Sequence, residues 1–527
     1  VIPTQTARAG KHVHVVVVGA GFSGIGAAVR LRQAGIRDLL VLEKAPQLGG
    51  TWRENTYPGC ACDVPSTLYS YSFTPNTAWS RVFAGQQEIH DYLRTTAERF
   101  GLGEVLRCGV QVRAARWDPA AGRWLLDTSD GPYSAAVLVL ATGPWHVPRR
   151  LDVPGIEEFD GPVLHTARWD HGIDLAGRRV AVVGSGASAV QLVPAIAPRA
   201  AAVHLFQRTA QWVLPKPDLP VPAAVNRLLD RLPGARGALR AGQYTLQEGV
   251  NYAFRHPRLA RLLETAARAH LRLAVRDRRL RQALTPHYRL GCKRLLTSSA
   301  FYPALARPHV HLHPTAVTGV RGNEIVGADG TAVQADVLIT ATGFRIGDLP
   351  LAHSLYGTNG RTLHDTWDGE PQAYLGSTVN GFPNLFLLLG PNLLGGSTSV
   401  ITVLEAQLTY LTAAVTQIEH SGHRALEVRA AAQRAHNAAV QQALETTVYN
   451  SGGCTSYYFS PSGRNTFAWP FSTGRLVRQL SRFDPDAYTW HAPARPTALP
   501  APRPAPLPAA ATPQFDEPLE PAGEEQP

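Results

Sequence analysis

The sequence contains no methionine, and its only lysines are Lys11, Lys44, Lys216 and Lys293, so arginine supplies 47 of the 51 basic residues. The net charge of +11 therefore reads as compositional drift, in step with the abundant alanine and proline. The arginines between Arg227 and Arg294 lack interleaved aromatics, which argues for a solvated helical face over a nucleic-acid surface. A basic surface does favour the approach of an anionic cofactor. The five cysteines, Cys60, Cys62, Cys108, Cys292 and Cys454, are too few and too scattered for a disulfide scaffold, and point to the cytoplasm. Cys60-x-Cys62 has no second pair or nearby histidine to complete a metal site, so no metal is expected. No apolar run reaches the roughly 18 residues of a membrane span. The opening VIPTQTARAGKH lacks a signal-peptide core. A chain of 527 residues, 44% hydrophobic with mean hydropathy −0.11, fits a soluble protein of two to four domains without stable membrane insertion.

What is present is a duplicated nucleotide signature. Val13–Val18 is a compact apolar run that reads as a buried strand. GAGFSG follows at Gly19, Gly21 and Gly24, then a helical pattern over Ile25–Gln33 and a strand at Asp38–Leu42. The strand ends at Glu43, 24 residues after Gly19. Strand, GxGxxG, helix, strand and acid together are a strong signal. The glycines let backbone approach a pyrophosphate at the helix N-terminus. Glu43 accepts hydrogen bonds from both ribose hydroxyls and repels a 2′-phosphate, which selects FAD over NADP. Lys44 and the downstream Gly50, Thr51 and Trp52 are assigned to the same site. They open a long aromatic loop, Gln47–Phe73, whose length points to function.

The second module repeats the first. Arg179–Val183 leads into GSGASA, with Gly184, Gly186, Ser188 and Ala189, and a helix through Ile196 precedes a strand at Val203–Gln207. At the distance where the first module places Glu43 stand Arg208 and Thr209. A planar guanidinium there pairs with a 2′-phosphate, so this site prefers NADP. Each module has a later ATG strand, LVLATG ending at Gly143 and LITATG ending in Ala341, Thr342 and Gly343. Pro220–Leu290 reads as arginine-studded helices packed on the second module and walling a pocket. The expected fold is α/β: two Rossmann-like dinucleotide-binding domains, for FAD and NADP, with a helical insertion and a disordered C-terminal tail. FAD-binding segments are expected at 1–145 and 381–490. The linker and first NADP-binding part cover 146–215, the insertion 216–290 and the second NADP-binding part 291–380. The tail covers 491–527, where the Pro/Ala-rich composition cannot bury enough apolar surface to order itself.

Between the two signatures lies FDGPVLHTARWD, Phe159–Asp170. The pattern Phe159-x-Gly161-x-x-x-His165-x-x-x-Trp169-Asp170 resembles the fingerprint of type I Baeyer–Villiger monooxygenases, in the variant ending in Asp. Three further stretches resemble that family, so the likeness runs from about Val13 to Leu476. In YPGCACDVPS, Asp63 matches the family aspartate between flavin, nicotinamide and the active-site arginine. In YRLGCKRLLTSSAFYPAL, Lys293 matches the lysine that reaches the NADP 2′-phosphate, and Arg294 the catalytic arginine. GGSTSVI, Gly395–Ile401, matches a segment against the flavin ring. In CTSYYF, Tyr457 stands where the family more often has Trp. The resemblance implies NADPH-driven reduction of FAD, a flavin C4a-peroxide formed with O₂, and attack on a small-molecule ketone to give an ester or lactone. The fixed charge of Arg294 suits an anionic oxidant, and Asp63 would orient it. His165 belongs to the linker coupling the two domains, although a hydrogen-bonded structural histidine is an equally good reading.

An N- or S-oxygenating flavin-containing monooxygenase shares both nucleotide motifs but needs no arginine against the flavin. A disulfide reductase needs a paired redox cysteine motif that Cys60-x-Cys62 does not supply. A redox-silent nucleotide-binding protein needs neither Arg294 nor the linker fingerprint. The ketone and the oligomeric state are left open by the sequence.

Overall fold

The computed structural model describes residues 11–395, 398–422 and 424–492. Gly396 and Ser397 of the GGSTSVI segment and nearly all of the expected tail lie outside the described residues.

Two sheets carry the two signatures, the first mixed and the second all parallel. In the first, Lys11–Val18 lies between Leu39–Glu43 and Tyr133–Leu140, all parallel, with Val15–Val18 in register against Leu39–Leu42 and Val137–Leu140. Leu385–Leu387 extends the sheet beyond Tyr133–Leu140, so the chain's last third closes the first domain. Strands buried on both faces must be apolar throughout, and Val15, Val16 and Val17 have no exposed surface. The helix Phe22–Gln33 packs across the long helix Val400–Ser421. Contact is close enough that a Cβ on Gly26 would lie 2.7 Å from Leu408 Cδ1.

The second sheet has the parallel order Val310–His313, Ala202–Phe206, Arg179–Val183, Val337–Thr340, Val163–His165. The duplication extends to contacts. Gly19 (φ +105°) and Gly184 (φ +111°) each lie under the carbonyl of the corresponding ATG alanine. A Cβ there would be 2.6 Å from Ala141 O or 2.5 Å from Ala341 O.

Three features differ from the expectation. Leu355–Tyr356 pairs with Ala115–Arg116 of the first sheet, so the chain returns there well before the boundary expected at residue 380. Ala352, Leu355, Leu363 and Trp367 draw that segment into the core behind the first sheet. The insertion comprises Ala223–Arg231, Ala235–Arg255, Pro257–Ala274 and Arg278–Ala283, and it bridges the two modules rather than packing on the second alone. Phe254 and Ala267 enter the first core, Leu271, Val275 and Leu284 the second. Finally, Cys292 and Cys454 form a disulfide across a sequence separation of 162. A single bridge is not a scaffold, but it ties together the two segments that surround Arg294. Among the described residues no helix is long and apolar enough to cross a membrane.

Candidate active site

Arg294 and Asp63, 231 residues apart, form a bidentate ion pair. Arg294 Nε donates to Asp63 Oδ2 at 3.1 Å, and Nη2 donates to Oδ1 and Oδ2 at 2.9 and 2.8 Å. The turn carrying Asp63 is pinned on both sides. Cys62 N–H donates to Ala84 O at 3.0 Å and Ser66 N–H to Val82 O at 2.7 Å. Downstream of Arg294, Leu296–Thr297 pairs with Val213–Leu214. The carboxylate of Asp63 holds the guanidinium pKa well above its ordinary value, against the opposing effect of burial. This positive charge is permanent at any working pH. Asp63 engages the Nε/Nη2 edge of the fork and leaves Nη1 outside the ion pair, while the Tyr457 side chain also hydrogen-bonds to the guanidinium.

Two aromatics complete the surroundings. The guanidinium lies 5.9 Å from the Trp145 ring centroid. Tyr457 adjoins it as well: burial raises the phenol pKa and the Arg294 charge lowers it. Trp145 went unmarked in the sequence, yet it follows the first ATG motif by one proline, where a strand ends at a ligand-facing edge. A cleft opens beside Tyr457, with Thr142, Leu140, Ile346, Leu389 and Phe467 in its walls.

The glycines of the first module fit a dinucleotide. A Cβ on Gly21 would approach Gly50 Cα to 3.6 Å, and one on Gly50 would approach Gly21 Cα to 3.1 Å. Bare backbone thus faces bare backbone at the start of helix Phe22–Gln33. Gly24 packs so tightly on Gly19 O that a Cβ would lie 1.8 Å from it. Glu43 is buried and aimed by two backbone donors, Ala20 N–H to Oε2 at 2.7 Å and Ala45 N–H to Oε1 at 2.9 Å. Its remaining lone pairs suit ribose hydroxyls. Lys44 beside it is exposed. Thr51 opens the short helix Thr51–Glu54, and Trp52 is buried there with Nε1 donating to Tyr69 Oη at 3.1 Å.

In the second module, a Cβ on Gly186 meets nothing within 4 Å, and Ala189 is fully buried. Ser188 is close enough to Tyr57 to hydrogen-bond its phenol. The Thr209 carbonyl accepts the Ser185 hydroxyl at 3.0 Å. Lys293 has its pKa drawn down by burial and then by the charge of Arg208. Two cations held within Coulomb range of each other fit a dianionic phosphate.

His165 ends the strand Val163–His165. Its Nδ1 accepts from Ala167 N–H at 3.0 Å, and Nε2 faces Thr342 Oγ1 at 3.3 Å. These hydrogen bonds run to the linker and the second ATG motif, not to Asp63 or Arg294. Gly161 is needed because a Cβ would lie 2.3 Å from Asp336 O. Asp170 Oδ1 accepts from Gly172 N–H at 2.8 Å, and Trp169 packs on the second core. The linker also grips the first domain, through Arg168–Glu54 at 2.9 Å and His171 Nε2–Thr56 Oγ1 at 3.0 Å.

Burial lowers His165, together with His146, His204 and His436, to about 4. Each folded value lies below the ordinary 6.5, so the unfolded chain binds more protons between those limits. Stability is therefore complete above about pH 6.5 and is lost as pH falls towards 4, each histidine adding up to about 1.4 kcal/mol per pH unit to the slope. Melting temperatures measured across that range are expected to fall steeply below pH 6.5. A flat profile would show that these imidazoles are not buried neutral.

A family model for pyridine nucleotide-disulphide oxidoreductases matches residues 16–232. A Baeyer–Villiger monooxygenase of Streptomyces coelicolor is 46% identical over 486 residues, spanning 92% of this chain and 94% of its own. The chain belongs to the Baeyer–Villiger monooxygenases. Cyclohexanone monooxygenase from Rhodococcus sp., solved with NADP⁺, matches with a TM-score of 0.82 at 25% identity, over 92% of this chain and 100% of that one. OTEMO, solved with FAD and NADP, matches at 0.79 and 25%, over 89% and 97%. As a Baeyer–Villiger monooxygenase the protein is an FAD- and NADPH-dependent oxygenase. It is not a disulfide reductase: Cys60 and Cys62 are unpaired, and burial pushes the Cys60 thiol to about 12 and Cys62 higher still, far from a reactive thiolate.

Proposed function

We propose that this Baeyer–Villiger monooxygenase oxidises ketones with apolar substituents, bound in the cleft beside Tyr457, and that Arg294 and Asp63 form its oxygenation site. The observation that carries the reading is the bidentate Arg294–Asp63 pair at the meeting of both nucleotide modules. In the overall reaction, ketone, O₂, NADPH and H⁺ give ester, water and NADP⁺. Bound FAD, reduced by NADPH, supplies the oxygen-transfer chemistry.

The chain's own groups do the rest. Arg294 holds a fixed positive charge beside Trp145 and Tyr457, placed to attract a developing oxyanion. Asp63 orients that charge and limits its reach. Glu43, Gly21 and Gly50 receive the FAD ribose and pyrophosphate; Arg208 and Lys293 take the NADP 2′-phosphate. His165 and Thr342 fix the linker against the second ATG motif. The apolar walls exclude water and favour a hydrophobic ketone. The cytoplasm, where NADPH is made, is the compartment that suits this reaction.

The test is turnover of the holoenzyme with NADPH and ¹⁸O₂ on a panel of cyclic and aryl ketones plus a thioether. One ¹⁸O atom per ester, with NADPH consumed in equal amount, is the expected result. Oxidation of the thioether alone, with no ester from any ketone, would overturn the reading.

A further inference from the structure

Lys216 has no part in the chemistry described so far, yet it reaches the turn that carries Asp63. Its Nζ donates to the Cys62 carbonyl at 2.8 Å, one residue before Asp63, and lies 4.8 Å from the Phe83 ring centroid. Its backbone is anchored elsewhere. Lys216 N–H donates to Ser299 Oγ at 3.0 Å, and the Ser299 hydroxyl donates back to Lys216 O at 2.9 Å. Ser299 lies five residues beyond Arg294. One lysine therefore connects the segment downstream of Arg294 to the turn of Asp63.

The electrostatics give this link a purpose. Asp63 and Arg294 pair bidentately, so their charges cancel at a site that needs surplus positive charge. Lys216 is within Coulomb range of Asp63 and leaves the group of three with a net charge of about +1. We propose that Lys216 is a positioning residue for oxygenation: it fixes the Cys62–Asp63 turn, and its ammonium shares the Asp63 carboxylate so that Arg294 is not fully neutralised. The inference rests on the ketone-oxidising function proposed above.

The groups facing the ammonium are Asp63, Cys62 and Cys60 of the turn, Arg81, and Asp218 of its own segment. Arg81 and Asp218 pair with each other at 3.1 Å. Burial is the main influence and draws Lys216 below its ordinary 10.5, with the carboxylates opposing. Both thiols are pushed up to about 12 or beyond, whereas burial draws the lysine down.

Wild-type, Lys216→Met and Lys216→Arg holoenzymes are compared for ester formed per NADPH consumed, from about pH 7 to about pH 10. Hydrogen exchange of the peptide spanning residues 60–66 and the melting temperature are measured alongside. Lys216→Met is expected to lower the ester-to-NADPH ratio about tenfold and to speed exchange in that peptide. Lys216→Arg is expected to restore the ratio and move its alkaline decline to higher pH, which a purely structural clamp would not do. A Lys216→Met enzyme that couples and exchanges like wild type overturns the proposal, as does an alkaline limb that Lys216→Arg leaves in place. If wild type makes no ester at all, the ketone reading fails on its own. Exchange at residues 60–66 then still decides whether Lys216 holds the turn.

Discussion

Arg294→Ala is expected to reduce ester formation by at least about 10²–10³-fold, the cost of removing one preorganised oxyanion donor, while NADPH still reduces the bound FAD. The two half-reactions separate because hydride delivery needs the nucleotides in place, whereas oxygen transfer, on the function proposed above, needs a positive charge that stays protonated. The Asp63 carboxylate is then left without the partner that engaged both its oxygens, and its negative charge works against any oxyanion nearby. Loss is therefore larger than the removal of one donor alone. Arg294→Lys is expected to recover little, since an ammonium lacks the fork that satisfies Asp63 with one edge and substrate with the other. Stopped-flow reduction by NADPH, paired with product analysis, checks both halves. Wild-type ester yield from Arg294→Ala would remove this residue from the chemistry.

Much of this site was legible in the sequence, and the reason is local. Glu43 and Arg208 each stand 24 residues after the first glycine of their motif, and a strand–turn–helix–strand unit converts that spacing into a fixed position at a strand end. Gly161 was legible as part of a fingerprint; only the structure supplied its cause, the carbonyl of Asp336 against which no Cβ fits. Contacts between distant segments were not legible. Trp145 and Tyr457 meet at Arg294 from segments more than 300 residues apart, and no periodicity encodes that. The insertion's apolar positions marked its helices as amphipathic without saying which core each face would enter. The Cys292–Cys454 bridge was hidden for the same reason, since scattered cysteines carry no pairing information.

Lys293 is one of only four lysines in an arginine-rich chain, and it leads to the second large effect. Lys293→Ala is expected to raise the KM for NADPH about 10–100-fold, corresponding to a charged hydrogen bond worth about 1.5–3 kcal/mol, and to leave the KM for NADH nearly unchanged. The 2′-phosphate is the only difference between the two cofactors, so the ratio isolates its contact. Arg208→Ala is expected to act in the same direction, but the double variant falls short of the product of the singles. Arg208 depresses the Lys293 pKa, which means the two cations repel in the absence of ligand; removing either relieves that repulsion. On this assignment the like-charge strain also makes the pair discriminate: a bound 2′-phosphate dianion would neutralise both charges, whereas with NADH the repulsion would persist with nothing to offset it. Equal KM changes for the two cofactors would show that Lys293 and Arg208 do not read the phosphate, and the assignment of the second module to NADP would then need another basis.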